Sequence, residues 1–182
     1  MEHIIIKETT KSDLSAILIV EKSAFGQDDE AELTKNILLD KSAEPIVSLL
    51  AWKGENAIGH ILFSKALIEN YEEKVSAYNL APLAIIPEFQ NQGIGGMLIN
   101  KGIEILRDWK IDLVFVLGHI TYYPKYGFLN NAAQFGFNAP YPIPEEVKDA
   151  WMIQYINNYY DRSISGKVIC CKALDKPEYW RE

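Results

Sequence analysis

The chain has 182 residues, of which 48% are hydrophobic and 24% charged, the balance of an ordinary globular domain rather than of a disordered or fibrous chain. Its 25 acidic and 18 basic residues give a formal net charge of -7, the wrong sign for a protein whose main partner is a phosphate backbone. We therefore expect no nucleic-acid partner.

We expect no targeting or membrane signal at the start of this sequence. The apolar run at residues 4–6 is closed by Lys7 and Glu8, and no basic region precedes it, so we expect no signal peptide. No apolar run elsewhere approaches the ~18 residues that a membrane span needs. These features predict a cytoplasmic protein with no membrane partner.

Two helices follow a first predicted strand at residues 4–7. Thr10 with Asp13 three residues later resembles a capping box, which predicts a helix that ends near Gly26. The acidic run at residues 28–30 predicts the start of a second amphipathic helix, because carboxylates stabilise a helix N-terminus.

The middle of the chain reads as sheet. Residues 46–52 and 57–64 predict the two strands of a hairpin, joined by a polar turn. Residues 75–86 predict a longer strand. Within it, Pro82 cannot donate a ladder hydrogen bond and so predicts a bulge.

From Gly93 the apolar period becomes helical, and a fully apolar strand follows at residues 113–117. A strand without polar residues belongs inside a sheet that is covered on both faces. The predicted class is therefore α/β or α+β, in one domain. Two further strands are predicted at residues 151–156 and 167–173.

A glycine-rich turn joins the long strand to this helix. Its glycines at a helix N-terminus, where backbone N–H groups are unpaired, predict a bound pyrophosphate. The dinucleotide-binding fingerprint fails because Leu98 stands where a third Gly or Ala is required, and the P-loop pattern is absent. Neither NAD nor a nucleoside triphosphate is favoured.

This turn resembles the acetyl-coenzyme A loop of the GNAT superfamily of N-acyltransferases, with the pattern Gln/Arg-x-x-Gly-x-Gly/Ala met by Gln90, Gly93 and Gly95. A second family signature, a Tyr followed four residues later by Gly-Phe, is met by Tyr123 and Gly127-Phe128. The resemblance covers residues 1–130. It implies a single N-acetyltransferase domain in which residues 131–182 complete the sheet.

The resemblance implies a twisted mixed sheet flanked by helices, with the strands ending at Ile86 and Leu117 splayed to admit acetyl-CoA. Acetyl-CoA would be a cosubstrate, and no metal is expected. The pantetheine arm would pair with the main chain of Ile85 and Ile86. The pyrophosphate would lie on the N–H groups of a continuous segment, with Met97 close by: Gln90, Asn91, Gln92, Gly93, Ile94, Gly95 and Gly96.

Acyl transfer from a thioester to an amine needs a base for the amine and an acid for the departing thiolate. The resemblance makes Tyr123 the general acid, with core packing as the alternative, and leaves Tyr122 and Tyr126 as packing residues. His119, just past the apolar strand, is the first candidate for the base, since an imidazole pKa near ~6.5 suits this role. A hydrogen-bonded structural histidine, or a water chain as base, remains the alternative.

Other polar residues receive weaker assignments. His60 is interpreted as a half-buried structural residue, and Glu88 as a solvated one. Asn79, late on the splayed strand, is a candidate for substrate contact. The adjacent Cys170 and Cys171 suit neither a disulfide framework nor a zinc site and favour a reducing compartment.

The C-terminal third is rich in aromatic residues, which predict an acceptor pocket, a homodimer surface or ordinary core packing.

The first functional hypothesis is an N-acetyltransferase that acts on a primary amine, borne by a small molecule or a peptide, by direct transfer in a ternary complex. The second is a catalytically silent CoA-binding sensor or interaction module. A scaffold without cofactor ranks last.

Overall fold

Residues 3–181 are described by a computed structural model. Within them the chain forms a mixed sheet and three α-helices. In chain order the elements are β1 (Ile4–Glu8), α1 (Leu14–Phe25), α2 (Asp29–Leu39), β2 (Val47–Lys53), β3 (Asn56–Ile68), β4 (Ala77–Ile85), α3 (Ile94–Asp108), β5 (Leu113–Leu117), β6 (Trp151–Tyr155) and β7 (Val168–Ile169).

The sheet runs in the order β1-β2-β3-β4-β5-β6, and β7 pairs with the far end of β3. Every neighbouring pair is antiparallel except β4 and β5, which are parallel and are connected through α3. This is the mixed sheet with flanking helices that the sequence predicts. None of the helices in the described range has the length and apolar content needed to cross a bilayer.

The local signals for the first two helices are confirmed. The Thr10 backbone N–H donates to Asp13 Oδ2 at 2.7 Å, ahead of α1. Gly26 ends α1 with a left-handed φ of 72°, and its N–H donates to the Lys22 carbonyl. Three carboxylates lie in the first turn of α2, where they stabilise the helix dipole: Asp29, Glu30 and Glu32.

The sheet is covered on both faces, as the apolar strand β5 requires. On one face, Ile17 and Val20 of α1 pack against Leu50 and Ala84. On the other face, α3 contributes a row of buried side chains to a second cluster: Ile94, Leu98, Ile99, Ile103 and Leu106. Close packing there depends on Gly102, because a Cβ at this position would lie 2.2 Å from the Phe63 ring.

The irregularity predicted at Pro82 is present. Ile61 pairs with Leu83 and Phe63 pairs with Leu80, so the register shifts and two β4 residues lie opposite a single β3 residue. The β4–β5 pairing also stops early, at Asn79 opposite Phe115, although β4 continues to Ile85. The two central strands therefore separate beyond Asn79, as predicted.

The last predicted strand, residues 167–173, is wrong in length, since β7 covers only Val168–Ile169. The chain then enters a 3-10 turn at Lys172–Leu174. The turn is held by the segment just after α2 rather than by the sheet, because the Ala173 N–H donates to Asp40 Oδ2 at 2.8 Å and the Lys172 N–H to Ser42 Oγ at 2.9 Å. These side-chain acceptors replace the backbone partner that a longer strand would need.

Candidate active site

The glycine-rich turn lies at the N-terminus of α3 and presents unpaired backbone donors. Gly93 precedes the helix with a left-handed φ of 81°, and no atom lies within 4 Å of the position of a Cβ there. The first intrahelical bond runs from the Met97 N–H to the Gly93 carbonyl, at 3.1 Å. The N–H groups of residues 94–96 precede that bond, and no side chain in the described chain caps them. They form a cradle suited to an anion.

Two glutamine side chains stabilise this turn by hydrogen bonds to nearby backbone carbonyls. Gln90 Nε2 donates to the Ile85 carbonyl at 3.0 Å, and Gln92 Nε2 donates to the Glu88 carbonyl at 2.9 Å. The Gln90 bond ties the turn to the end of β4. The glutamines thus shape the backbone of the cradle, while Glu88 lies exposed and contributes its carbonyl.

The end of β4 has one edge that β5 does not cover. The Ile86 N–H donates to the Ile58 carbonyl at 3.1 Å, so this residue faces β3, and its own carbonyl accepts from the Phe89 N–H at 2.9 Å. Because backbone groups alternate between the edges of a strand, those of Ile85 point toward the open side. Of the two residues predicted to pair with a pantetheine arm, Ile85 has the geometry for it through its N–H, since its carbonyl already accepts from Gln90 Nε2 at 3.0 Å.

Three tyrosines at residues 122, 123 and 126 pack together over the turn. The Tyr122 ring lies 5.2 Å from the Tyr123 ring and 5.3 Å from the Tyr126 ring, each distance being between centroids. A Cβ at Gly95 would lie 2.1 Å from Tyr122 Oη, and one at Gly96 would lie 2.5 Å from the Tyr126 ring. Tyr122 and Tyr126 are packing residues, as expected, but they pack on the turn itself. The two glycines are needed for this contact, which sequence reasoning missed.

Tyr123 begins the 3-10 turn at residues 123–126, six residues after the end of β5. Its side chain is buried, with the ring centroid 5.7 Å from that of Phe128. On the other side the ring lies against Gly118, where a Cβ would stand 2.5 Å from Tyr123 Cε2. Gly118 and Phe128 therefore hold the ring in place.

His119 and Asn79 lie in contrasting surroundings. His119 is exposed after the end of β5, and its carbonyl accepts the Tyr122 N–H at 3.1 Å. Asn79 is only 2% exposed, yet neither Nδ2 nor Oδ1 has a hydrogen-bond partner within the described chain. A buried amide with no protein partner is stabilised by a bound water or ligand, so Asn79 marks a polar binding position in this region.

His60 is completely buried, more than expected, and belongs to a polar network beneath α1. Its Nδ1 lies 2.5 Å from Glu21 Oε1, and its Nε2 lies 2.9 Å from Ser48 Oγ. Burial raises the pKa of Glu21 to about 9, with repulsion from Glu30 as a second cause. Burial lowers the pKa of His60 to about 3. The folded pair thus retains one proton between these two values.

This network makes stability depend on pH. In the unfolded chain the two groups titrate near 4.5 and 6.5. Above pH 6.5 the folded pair still binds a proton that the unfolded chain has released, so its contribution to stability falls as the pH rises toward 9. Below pH 4.5 the unfolded chain binds the extra proton, and the contribution falls toward pH 3. The contribution of this pair to stability is therefore greatest between pH 4.5 and 6.5.

The thiols offer no nucleophile. Burial raises the pKa of Cys170 to about 12 and also raises that of Cys171, so both stay protonated near neutral pH. Among residues 3–181, no group of three or more His, Cys, Asp or Glu side chains is arranged to hold a metal ion. A cavity of about 1050 Å³ lies on the α1 side, with Leu14, Leu38 and Pro45 in its wall, away from the glycine-rich turn.

Comparison with known proteins agrees with this geometry. Residues 12–128 match the model of the acetyltransferase (GNAT) family. The chain is 46% identical to the uncharacterized N-acetyltransferase YjhQ of Escherichia coli K12 over 170 residues, which is 93% of each protein. It superimposes on E. coli YhbS in complex with CoA with a TM-score of 0.85 at 21% identity, covering 97% of this chain and 94% of that one. A GNAT acetyltransferase from Brucella melitensis in complex with acetyl-CoA gives 0.74 at 25% identity, covering 96% and 100%. The chain therefore belongs to the GNAT family of N-acetyltransferases.

Proposed function

We propose that this enzyme moves an acetyl group from acetyl-CoA to a primary amine, by direct transfer in a ternary complex. One observation carries the proposal: the unpaired N–H groups at the start of α3 lie next to the opening between β4 and β5. The CoA and acetyl-CoA complexes of the YhbS and Brucella proteins support the same cosubstrate. The whole chain, residues 1–182, would form one domain with this activity.

The proposed cosubstrate site follows the backbone. The pyrophosphate lies on the N–H groups of residues 91–96, where the helix dipole adds positive character. The Gln90 N–H, also predicted for this role, already donates to the Pro87 carbonyl at 3.2 Å and is left out of the proposed site. The pantetheine arm pairs with the open edge of β4 at Ile85, and Ile86 and the partly exposed Met97 border its path. The transfer needs no metal, because main-chain donors can polarise the thioester carbonyl.

The proposed chemistry forms one C–N bond and breaks one C–S bond. The neutral amine attacks the thioester carbonyl carbon, and the thiolate of CoA departs. Tyr123, held between Gly118 and Phe128, donates a proton to that thiolate. His119, exposed next to it, takes the proton from the amine directly or through water.

The acceptor enters on the Asn79 side of the opening, where the unpartnered amide can bind a polar group of the substrate. It is an amine borne by a small molecule or a peptide. The net charge of -7 argues against nucleic acid and the free, adjacent thiols favour the cytoplasm. Most aromatic residues of the C-terminal third are buried or partly buried, and Tyr159, 96% accessible, is the exposed one among residues 131–181 that is available to a homodimer surface.

The proposal is tested in two steps. Acetyl-CoA at about 100 times its Kd should raise the unfolding free energy by about 2.7 kcal/mol, which corresponds to roughly 5 to 10 °C in Tm for a chain of this size. Release of CoA thiol should then depend on an added amine, and mass spectrometry should find the acetylated amine. An unchanged Tm would refute the cosubstrate. A shift in Tm with no thiol release from any amine would favour the silent CoA-binding module.

A further inference from the structure

A small cavity lies where β4 and β5 separate, on the face opposite α3. Its volume is about 120 Å³, and it is bordered mainly by apolar side chains of β4, β5 and β6. At ~30 Å³ for each water in the liquid, it holds about four waters or a ligand fragment of similar size. A folded peptide segment does not fit such a space.

Asn79 supplies the polar group of this cavity. The side chain is 98% buried, since its exposed fraction is 2%, and both amide atoms lack a partner within residues 3–181. The amide carries donors and an acceptor, so it is satisfied by a ligand group that both donates and accepts, such as a hydroxyl or an amine. A ligand that makes both hydrogen bonds satisfies the amide in place of water.

The C-terminal segment, residues 174–181, closes the cavity. Trp180 is buried, its Nε1 donates to the Leu174 carbonyl at 2.9 Å, and its ring packs edge-on against Trp151 with centroids 5.6 Å apart. Since Ala173 is bonded to Asp40, the segment is anchored at its start as well. This wall is therefore a fixed part of the cavity, and it lies beyond the residues that match the family model.

Arg181 carries the charge of the cavity wall. The lining residues of the described chain are otherwise neutral, and the Arg181 side chain is exposed and makes no ion pair with residues 3–181. A guanidinium at the mouth of an apolar cavity attracts a carboxylate, which it binds through two parallel hydrogen bonds. The same charge repels a second ammonium group on the ligand.

We propose that the acceptor is a small amine that carries a carboxylate, an amino acid or a close derivative of one. Its carboxylate pairs with Arg181, and a polar group near its amine bonds to Asn79, which leaves the amine at the opening between β4 and β5. This inference rests on the proposed function, because it names the substrate class of the same site. Diamines and peptide lysines, which bring a further positive charge or a bulky chain, are disfavoured.

The test compares matched acceptors that differ by one carboxylate: L-serine with ethanolamine, and L-alanine with ethylamine. With the wild-type protein and acetyl-CoA, kcat/KM should be higher for each amino acid. The Arg181→Gln variant should raise KM for the amino acids by about 10- to 100-fold, the usual effect of losing a charge-assisted hydrogen bond, and leave the two simple amines unchanged. Arg181→Lys should restore part of the loss. Arg107→Gln, which removes an exposed charge on α3, serves as the control.

Calorimetric titration of L-serine into the CoA-bound protein separates this inference from the proposed function. If no amine is acetylated but L-serine binds, and Arg181→Gln abolishes that binding, the proposed function fails and the carboxylate site stands. If ethanolamine is acetylated at least as efficiently as L-serine, or Arg181→Gln affects both equally, the carboxylate site is refuted and the transferase stands. Failure of L-serine both to bind and to react also refutes the site.

Discussion

Replacing Gly95 by Ala tests how the tyrosines shape the glycine-rich turn. The added Cβ would lie 2.1 Å from Tyr122 Oη, but 3.4 Å from the next Tyr122 atom, Cζ. The clash is therefore with the hydroxyl alone. The ring cannot easily retreat, because it is packed between Tyr123 and Tyr126. Gly95→Ala should destabilise the wild-type chain, and Tyr122→Phe should relieve the clash.

Two contributions determine how much Gly95→Ala changes the unfolding free energy. Overpacking a site of this kind costs about 1–3 kcal/mol, while Ala in place of Gly inside a helix contributes up to about 1 kcal/mol in the opposite direction. Only the first term depends on the Tyr122 hydroxyl. In a double-mutant cycle of Gly95→Ala and Tyr122→Phe, we expect a coupling energy of about 1–3 kcal/mol, which corresponds to roughly 2 to 12 °C in Tm.

The cycle is measured by urea unfolding and thermal melts of the four proteins. Gly93→Ala is the control, because its cost of about 1–2 kcal/mol arises from a left-handed φ of 81° in open space and should be the same with Tyr or Phe at residue 122. A coupling energy for Gly95 below about 0.5 kcal/mol, the scatter expected for independent sites, would refute the packing described for this turn.

Three further outcomes are expected. Tyr123→Phe should lower kcat by about 10²-fold with little change in the KM of acetyl-CoA, whereas replacement of the 96% exposed Tyr159 by Phe should change neither. Wild-type turnover by Tyr123→Phe would exclude the role of Tyr123 as the acid. Urea unfolding of the wild type should show the unfolding free energy falling by about 1 kcal/mol per pH unit between pH 6.5 and 9. Glu21→Gln should remove this pH dependence and the exposed Glu32→Gln should keep it, and an unchanged slope in Glu21→Gln would contradict the network. Asn79→Leu should melt at the same or a higher temperature, because it removes an amide that has no protein partner, and it should raise the KM of the acceptor at least 10-fold. A clear loss of stability would show that the amide is already hydrogen-bonded.

The sequence by itself predicted those parts of the fold that depend on neighbours along the chain. The capping residues at Thr10 and Asp13, the helix end at Gly26 and the irregularity at Pro82 all follow from local backbone chemistry. Spacing along the chain likewise identified the glycine-rich turn, because its residues are contiguous. The same local reasoning was wrong for residues 167–173, because the strand stops at Ile169 and Ala173 is hydrogen-bonded to Asp40, which lies far away in the sequence.

Only the tertiary structure brought together groups that lie far apart in the chain. Glu21, His60 and Ser48 come from a helix and two strands, and no motif spacing connects them. The seating of Tyr122 on Gly95 and the closure of the Asn79 cavity by residues 174–181 depend in the same way on how elements pack. Propensity and capping act over a few residues, whereas burial, perturbed pKa values and cavity shape are set by contacts across the sheet, which exist only once the chain has folded.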